Sequence, residues 1–324
     1  MKSPLLSLPG AVPAEGVDEG VAAHYGDLFR EQRALADGAG FVDLSHRGVV
    51  TVTGEDRLSW LHLLLTQHVT DLPVGRATEA LILSAHGHIE HALYLVDDGE
   101  TVWMHTEPGT QEALIAYLES MKFFYRVEVA DSTAEFAVVH LPAGSIAEVP
   151  EGVVVRETPY GRDLFLPRAD LEPYAEDAAK HGPPAGLLAY EALRVEHHRP
   201  RLGFETDHRT IPHELGWIGT AVHLQKGCYR GQETVARVQN LGKPPRRLVF
   251  LHLDGSEVHL PPHGTELRLA ADGPDGRKIG FITTSVRHHE LGPVALALVK
   301  RNVPVDAPLM ADSTAAAQEV VVEP

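Results

Sequence analysis

Apolar positions along the chain recur with two periods, one suited to strands and one to helices. Val49-Val50-Thr51-Val52-Thr53 is β-branched throughout and predicts a strand. Gly54 breaks it. A helix is predicted from Glu55 to about Gln67, because Leu58, Leu61 and Leu65 recur at helical spacing and Glu55 and Asp56 suit its first turn. Ala80–Ser84 and Ile89–Val96 read as two strands about a turn at Ala85-His86-Gly87. Val102–His105 follows as a strand, then a helix over Thr110–Met121 that turns Leu114, Ile115 and Leu118 inward, then a strand over Phe123–Val129.

A second set of elements begins with strands at Phe136–Leu141, Val153–Arg156 and Leu164–Leu166. Helices are predicted at Asp170–His181, stopped by Gly182 and Pro183-Pro184, and at Leu187–Val195. Strands and helices interleave without the regular units or glycine fingerprint of a dinucleotide fold, so a two-layer α+β arrangement fits best. Gly242-Lys243-Pro244-Pro245 marks a boundary, since the prolines cannot continue a helix. Beyond it, Leu248–Leu253, Thr265–Leu269, Lys278–Val286 and Val294–Val299 are short strands separated by Gly, Pro and Asp, which predicts a small antiparallel β-barrel. The expected organisation is a flexible arm at 1–20, an α+β region at 21–243 with a second subdomain near 135–185, and a barrel domain at 244–324.

Composition narrows the function. The chain has 324 residues, 44% hydrophobic, and a formal charge of −17. That charge argues against general affinity for nucleic-acid backbones or anionic membranes. No run is apolar for the roughly 18 residues a membrane helix needs, and Met1–Gly20, interrupted by Pro4, Pro9 and Pro13, is not a signal peptide. A single cysteine forms no internal disulfide. The expected compartment is the cytoplasm.

That cysteine lies in Lys226-Gly227-Cys228-Tyr229-Arg230-Gly231-Gln232-Glu233, just before a run, Thr234–Leu241, that reads as helix. Two glycines let the backbone turn sharply and be approached closely. A helix N-terminus and the Lys226 ammonium both favour a thiolate, so Cys228 is a candidate nucleophile. A lone cysteine is as often a small buried hydrophobe; the glycines, Lys226 and Gln232-Glu233 are not typical core neighbours.

The 20 histidines invite a metal hypothesis. On a strand, His86 and His88 share a face and His91 points away, while the pairs His197-His198 and His288-His289 diverge, so no metal site is predicted. A Cys228–His hydrolase, with His197 or His223, lacks any flanking signature. Arg194 and Glu196 close an otherwise apolar helix ahead of Arg199-Pro200-Arg201-Leu202-Gly203. A salt bridge is the ordinary reading. A carboxylate at such a helix end also suits the ring N–H and amino groups of a pterin.

Together these residues resemble the YgfZ-type folate-binding proteins, relatives of the glycine-cleavage T-protein (aminomethyltransferase). The 226–233 segment matches the motif of the YgfZ-type branch. Asp43-Leu44-Ser45-His46-Arg47-Gly48 leading into Val52-Thr53-Gly54-Glu55-Asp56, Leu193-Arg194-Val195-Glu196, and Gly280-Phe281-Ile282-Thr283-Thr284-Ser285 with Ala295-Leu296-Ala297-Leu298-Val299 resemble the wider superfamily. The resemblance implies an α+β folate-binding body with a central cavity and a C-terminal β-barrel. It implies tetrahydrofolate or a one-carbon derivative as ligand, with Glu196 and Arg194 as candidate cofactor-binding residues and Glu196 in the pterin-contacting position. Its family role is maintenance of iron–sulfur clusters in client enzymes, including those that modify tRNA. One cysteine cannot supply the thiolates of an ordinary cluster. The pattern departs at Gly87-His88-Ile89-Glu90-His91-Ala92-Leu93, where His91 and Ala92 stand in place of the acidic pair of aminomethyltransferases, and Glu90 faces the other side of a strand.

The leading expectation is therefore a tetrahydrofolate-binding accessory factor for iron–sulfur assembly or repair, partnered by client or assembly proteins, with Cys228 and Lys226 at work within Gly227, Tyr229, Gly231, Gln232 and Glu233. The alternatives are a tetrahydrofolate-dependent one-carbon transferase or demethylase, and a non-catalytic folate-binding or docking protein.

Overall fold

A computed structural model describes residues 1–256 and 259–324. The chain forms two compact units, residues 1–82 with 91–190 and residues 83–90 with 191–324. The first holds two five-stranded sheets. One runs Ala77–Leu83, Ile89–Asp97, Thr101–Thr106, Gly48–Thr53, Glu128–Asp131 in spatial order. Helices Arg57–Leu64 and Gln111–Ser120 cover it, and Val50, Val52, Val102 and Met104 meet Trp60, Leu61, Leu114 and Leu118 in the core. The predicted period-2 and period-3.6 stripes thus meet face to face.

The second sheet runs Val154–Thr158, Gly161–Pro167, Phe136–Pro142, Phe41–Asp43, Pro184–Ala185, the last pair parallel. Ala137, Val139, Leu141, Leu164 and Leu166 face helix Leu171–Ala178. Each sheet with its helices is a two-layer α+β unit, and the remaining sheet faces meet one another. Trp103 contacts Phe136 and Phe165, with ring centroids 4.7 and 5.7 Å apart.

That inter-sheet layer holds charge. Asp163 receives His140 Nδ1 at 2.8 Å, Arg156 at 2.8 Å and His105 Nε2 at 3.2 Å. His105 stacks on Tyr94 at 4.9 Å, and the Arg156 and Arg47 guanidinium groups lie 5.2 and 5.8 Å from the Tyr94 ring centre. Burial pushes Asp163 up, but hydrogen bonds from His105 and His140 outweigh it and hold the carboxyl well below the usual range. Burial pushes His105 down to about 4, against the pull of Asp163.

Several boundaries differ from the sequence reading. The expected strand Phe123–Val129 begins only at Glu128, because Phe123 takes a left-handed backbone at φ 43° that no strand accommodates. Residues 1–20 are packed rather than a loose arm. Leu5 is buried in the second core, Ser3 hydrogen-bonds Asp43, and Val12–Pro13 pairs with Ala22–His24.

In the second unit, six antiparallel strands close a barrel in the order Arg246–Leu253, Gly292–Lys300, Gly280–His288, Glu266–Leu269, Leu309–Ala311, Thr314–Val320. Val249, Leu251, Ile282, Ala295, Ala297 and Val299 fill it. The compact unit extends well upstream of Gly242. Ion pairs explain this: Arg246, on the first barrel strand, binds Asp207 at 2.6 Å and Glu214 at 2.8 Å. Among the described residues no helix is long and apolar enough to cross a membrane.

Candidate functional site

The structure gathers the residues singled out from sequence into two groups, both within the second unit. The first is the cysteine loop. Gly227 and Gly231 have φ of 99° and 84°, so both turns need a residue without a Cβ. Helix Gln232–Leu241 begins immediately after Gly231, two positions before the sequence reading placed it. The Gln232 side chain reaches back to accept the Tyr229 N–H at 3.1 Å, which fixes the loop, and Glu233 lies exposed in the first helical turn, where the dipole favours it.

Cys228 is exposed, with Tyr229, Arg230 and Gly231 separating it from the helix start. Lys226 is buried, its ammonium 5.0 Å from the centre of the Tyr229 ring. Burial pushes the Lys226 ammonium down to about 8, against the opposing pull of Cys228. Burial also pushes the Tyr229 hydroxyl up to about 12.

The turn of residues 83–90 seats this loop. A Cβ on Gly231 would lie 2.5 Å from the Ser84 carbonyl oxygen, and one on Gly87 would lie 2.6 Å from Cβ of Thr234. Arg230 closes the contact with a 2.8 Å ion pair to Glu90. Glu90 is thus turned outward toward the loop, while His91 and Ala92 are buried.

The second group surrounds the end of helix Leu187–Glu196. His198, left-handed at φ 54°, terminates the helix and Pro200 prevents its resumption. Arg194 is 4% exposed and makes four hydrogen bonds inside the protein, with every nitrogen engaged. Nε and one terminal nitrogen bind Glu191 at 2.9 and 2.8 Å. The other donors reach Glu205 at 2.9 Å, the Arg199 carbonyl at 2.5 Å and the Thr284 hydroxyl at 3.1 Å. Burial pushes the guanidinium down, but Glu191 and Glu205 more than offset that and hold it above its ordinary value. Arg194 therefore ties the helix to the barrel.

The barrel contributes through a bulge. Register along Gly280–His288 shifts between Ile282 and Thr284, so consecutive hydroxyls that a regular strand would send to opposite faces both reach Glu205 Oε1, at 2.9 and 2.6 Å. Sequence reasoning flagged these threonines only as a superfamily pattern and missed Glu205, which is fully buried. No local signal marks it, since its partners come from distant strands.

Glu196 is different. Its side chain is 36% exposed, with Oε2 3.2 Å from Nε2 of His288 and 3.7 Å from His197 Nδ1. Among the described residues no partner bonds its Oε1, and no group of three or more His, Cys, Asp or Glu is placed to hold a metal ion.

Comparison with known proteins adds to this geometry. The chain over residues 22–148 matches the GCVT N-terminal domain family. A crystal structure of glycine-cleavage aminomethyltransferase T from Bartonella henselae superposes with a TM-score of 0.83 over 98% of this chain and 95% of that one, at 19% identity. The fold is that of an aminomethyltransferase. Aminomethyltransferases of Herpetosiphon aurantiacus and Streptomyces avermitilis are 26% and 28% identical, covering 92% and 85% of this chain and 90% and 82% of their own. A putative chloroplastic transferase of Arabidopsis thaliana is 24% identical over 82% of this chain and 66% of its own length. These matches support the glycine-cleavage aminomethyltransferase superfamily.

Proposed function

We propose that this protein binds a reduced folate and acts as a tetrahydrofolate-dependent one-carbon transferase, with Glu196 receiving the pterin N–H groups. Glu196 carries this assignment. It is a partly exposed carboxylate at a helix end, one oxygen held by His288 and the other open among the described residues. An open carboxylate oxygen accepts a ring N–H or an exocyclic amino group, so the residue fits a pterin. The aminomethyltransferase relatives support the same reading. Tetrahydrofolate, when bound, supplies the nitrogens that carry a one-carbon unit.

The part played by the chain is recognition and exclusion. An imidazole and a methyl group at His91 and Ala92 supply no negative charge to hold a cationic amine as carboxylates would, so the one-carbon donor is not the amine of glycine cleavage. Titration with tetrahydrofolate tests the assignment, together with a search for 5-methyl-tetrahydrofolate after incubation with other methylated amines, whose methyl group passes to the folate nitrogen without a change of oxidation level while the amine nitrogen takes the proton. Wild-type protein should bind, and Glu196→Gln should weaken binding about tenfold. Absence of wild-type binding at about 1 mM tetrahydrofolate (a Kd too weak to matter in a cell) would overturn it.

The exposed thiol favours a second reading, a folate-binding factor in iron–sulfur maintenance that uses Cys228, as the sequence motif suggested. A Cys228→Ser strain should then lose activity in cluster-dependent enzymes while the protein stays folded. Normal client activity in that strain removes this reading and leaves the transferase untouched.

A further inference from the structure

We infer that His288 is a positioning residue for the candidate ligand site, a neutral imidazole locked as the Nε2–H tautomer that donates to Glu196 and reserves the other carboxylate oxygen for the ligand. This rests on the assignment of Glu196 as the folate contact.

The tautomer follows from the hairpin that His288 begins. Its Nδ1 lies 3.2 Å from the Glu290 N–H and 3.1 Å from the Leu291 N–H. Backbone amides only donate, so Nδ1 must be the bare, accepting nitrogen, and the single ring proton sits on Nε2. Nε2 lies 3.2 Å from Glu196 Oε2. The side chain is 0% exposed. Burial pushes the imidazole below its ordinary value against the pull of Glu196, with His289, 4.5 Å away ring to ring, pushing the same way as burial. The other groups facing this pair include His197 and His198, toward Glu196, and Glu290, in the turn.

The consequence is geometric. A half-exposed glutamate at a helix end would ordinarily sample several rotamers, and ordering it would cost affinity on binding. A donor fixed by two backbone amides removes that freedom in advance. The arrangement resembles the way an outer histidine or carboxylate orients a functional side chain in other sites.

Two substitutions separate the two roles of the ring. His288→Asn keeps an acceptor near the Nδ1 position for the turn and loses the donor to Glu196. His288→Gln keeps a donor near the Nε2 position and loses the acceptor. Binding of tetrahydrofolate is measured by calorimetry for each, alone and with Glu196→Gln, with thermal melts alongside. His288→Asn should weaken binding about tenfold, His288→Gln by no more than about threefold, and the loss from His288→Asn should vanish when Glu196→Gln is already present. The ¹⁵N shifts of His288 should show protonated Nε2 and bare Nδ1 in the neutral ring.

Wild-type affinity in His288→Asn alongside a weakened Glu196→Gln overturns the positioning role alone. Wild-type affinity in Glu196→Gln overturns the folate assignment itself. Equal losses in the Asn and Gln variants, or an undiminished Asn effect without Glu196, reduce His288 to a structural residue. Should His288→Asn fail to fold, the Gln variant and the tautomer decide: a proton found on Nδ1 refutes the inference.

Discussion

Arg194→Met is the sharpest probe of the second site. Methionine keeps much of the side-chain volume, so the change removes charge and four hydrogen bonds rather than opening a large cavity. What remains is Glu205, fully buried and still held by the Arg201 N–H at 2.8 Å and two threonine hydroxyls, and Glu191, which retains Arg201 at 3.6 Å. Removing one member of a buried ion pair typically costs about 3–5 kcal/mol, because the other is left uncompensated. The surviving partners place this case near the lower end, so the expected loss is about 3 kcal/mol. Urea unfolding followed by fluorescence should show it, Trp217 being the tryptophan of the second unit. Arg194→Met/Glu205→Gln should recover about 1–2 kcal/mol, since no orphan carboxylate then remains at 205. A loss below about 1 kcal/mol, or no recovery in the double variant, refutes the network account. A stable Arg194→Met that fails to bind tetrahydrofolate would instead return the guanidinium to the ligand, as the sequence alone suggested.

Four further outcomes are expected. The folded-state value of His105, about 4, lies below its unfolded one of about 6.5, so the unfolded chain takes up a proton that the folded one refuses. Stability is whole above about pH 6.5 and falls as pH drops toward 4, by at most about 1.4 kcal/mol per unit from this group; a flat urea profile between pH 7 and 4.5 contradicts this. Gly231→Ala forces a Cβ against the Ser84 carbonyl at φ 84° and should cost roughly 2–4 kcal/mol, read as a lower urea midpoint, while a neutral effect means the two loops are not seated as described. Iodoacetamide should label Cys228 in native protein nearly as fast as in urea, and strong native protection would contradict its exposure. Phe123→Asn should stabilise by about 0.5–1 kcal/mol, because Phe123 is 76% exposed in a left-handed conformation that asparagine tolerates; a destabilised variant means the phenyl ring makes contacts that matter.

The cysteine loop shows how far local signals reach. Its glycines, its turn and the helix beyond were legible because each rests on backbone preferences within a few residues. The seat at Ser84–Glu90 was not, since the clash that excludes a Cβ at 231 involves chain far away in sequence. Arg194 and Glu196 show the same limit. Both were legible as charged residues ending an apolar helix, and nothing local distinguished the one tied into a buried ion-pair network from the one with an oxygen open.

The sequence by itself determined most of the strands and helices, the barrel after Gly242 and the single thiol, because periodicity, β-branching and the constraints of proline and glycine act along the chain. Tertiary structure alone decided that Asp163, His105, His140 and Arg156 converge between two sheets, that a bulge aims two threonines at Glu205, and that a hairpin fixes the tautomer of His288. Each depends on directions and distances across strands, and a carboxylate or imidazole takes its chemistry from whatever folding brings within about 3 Å of it.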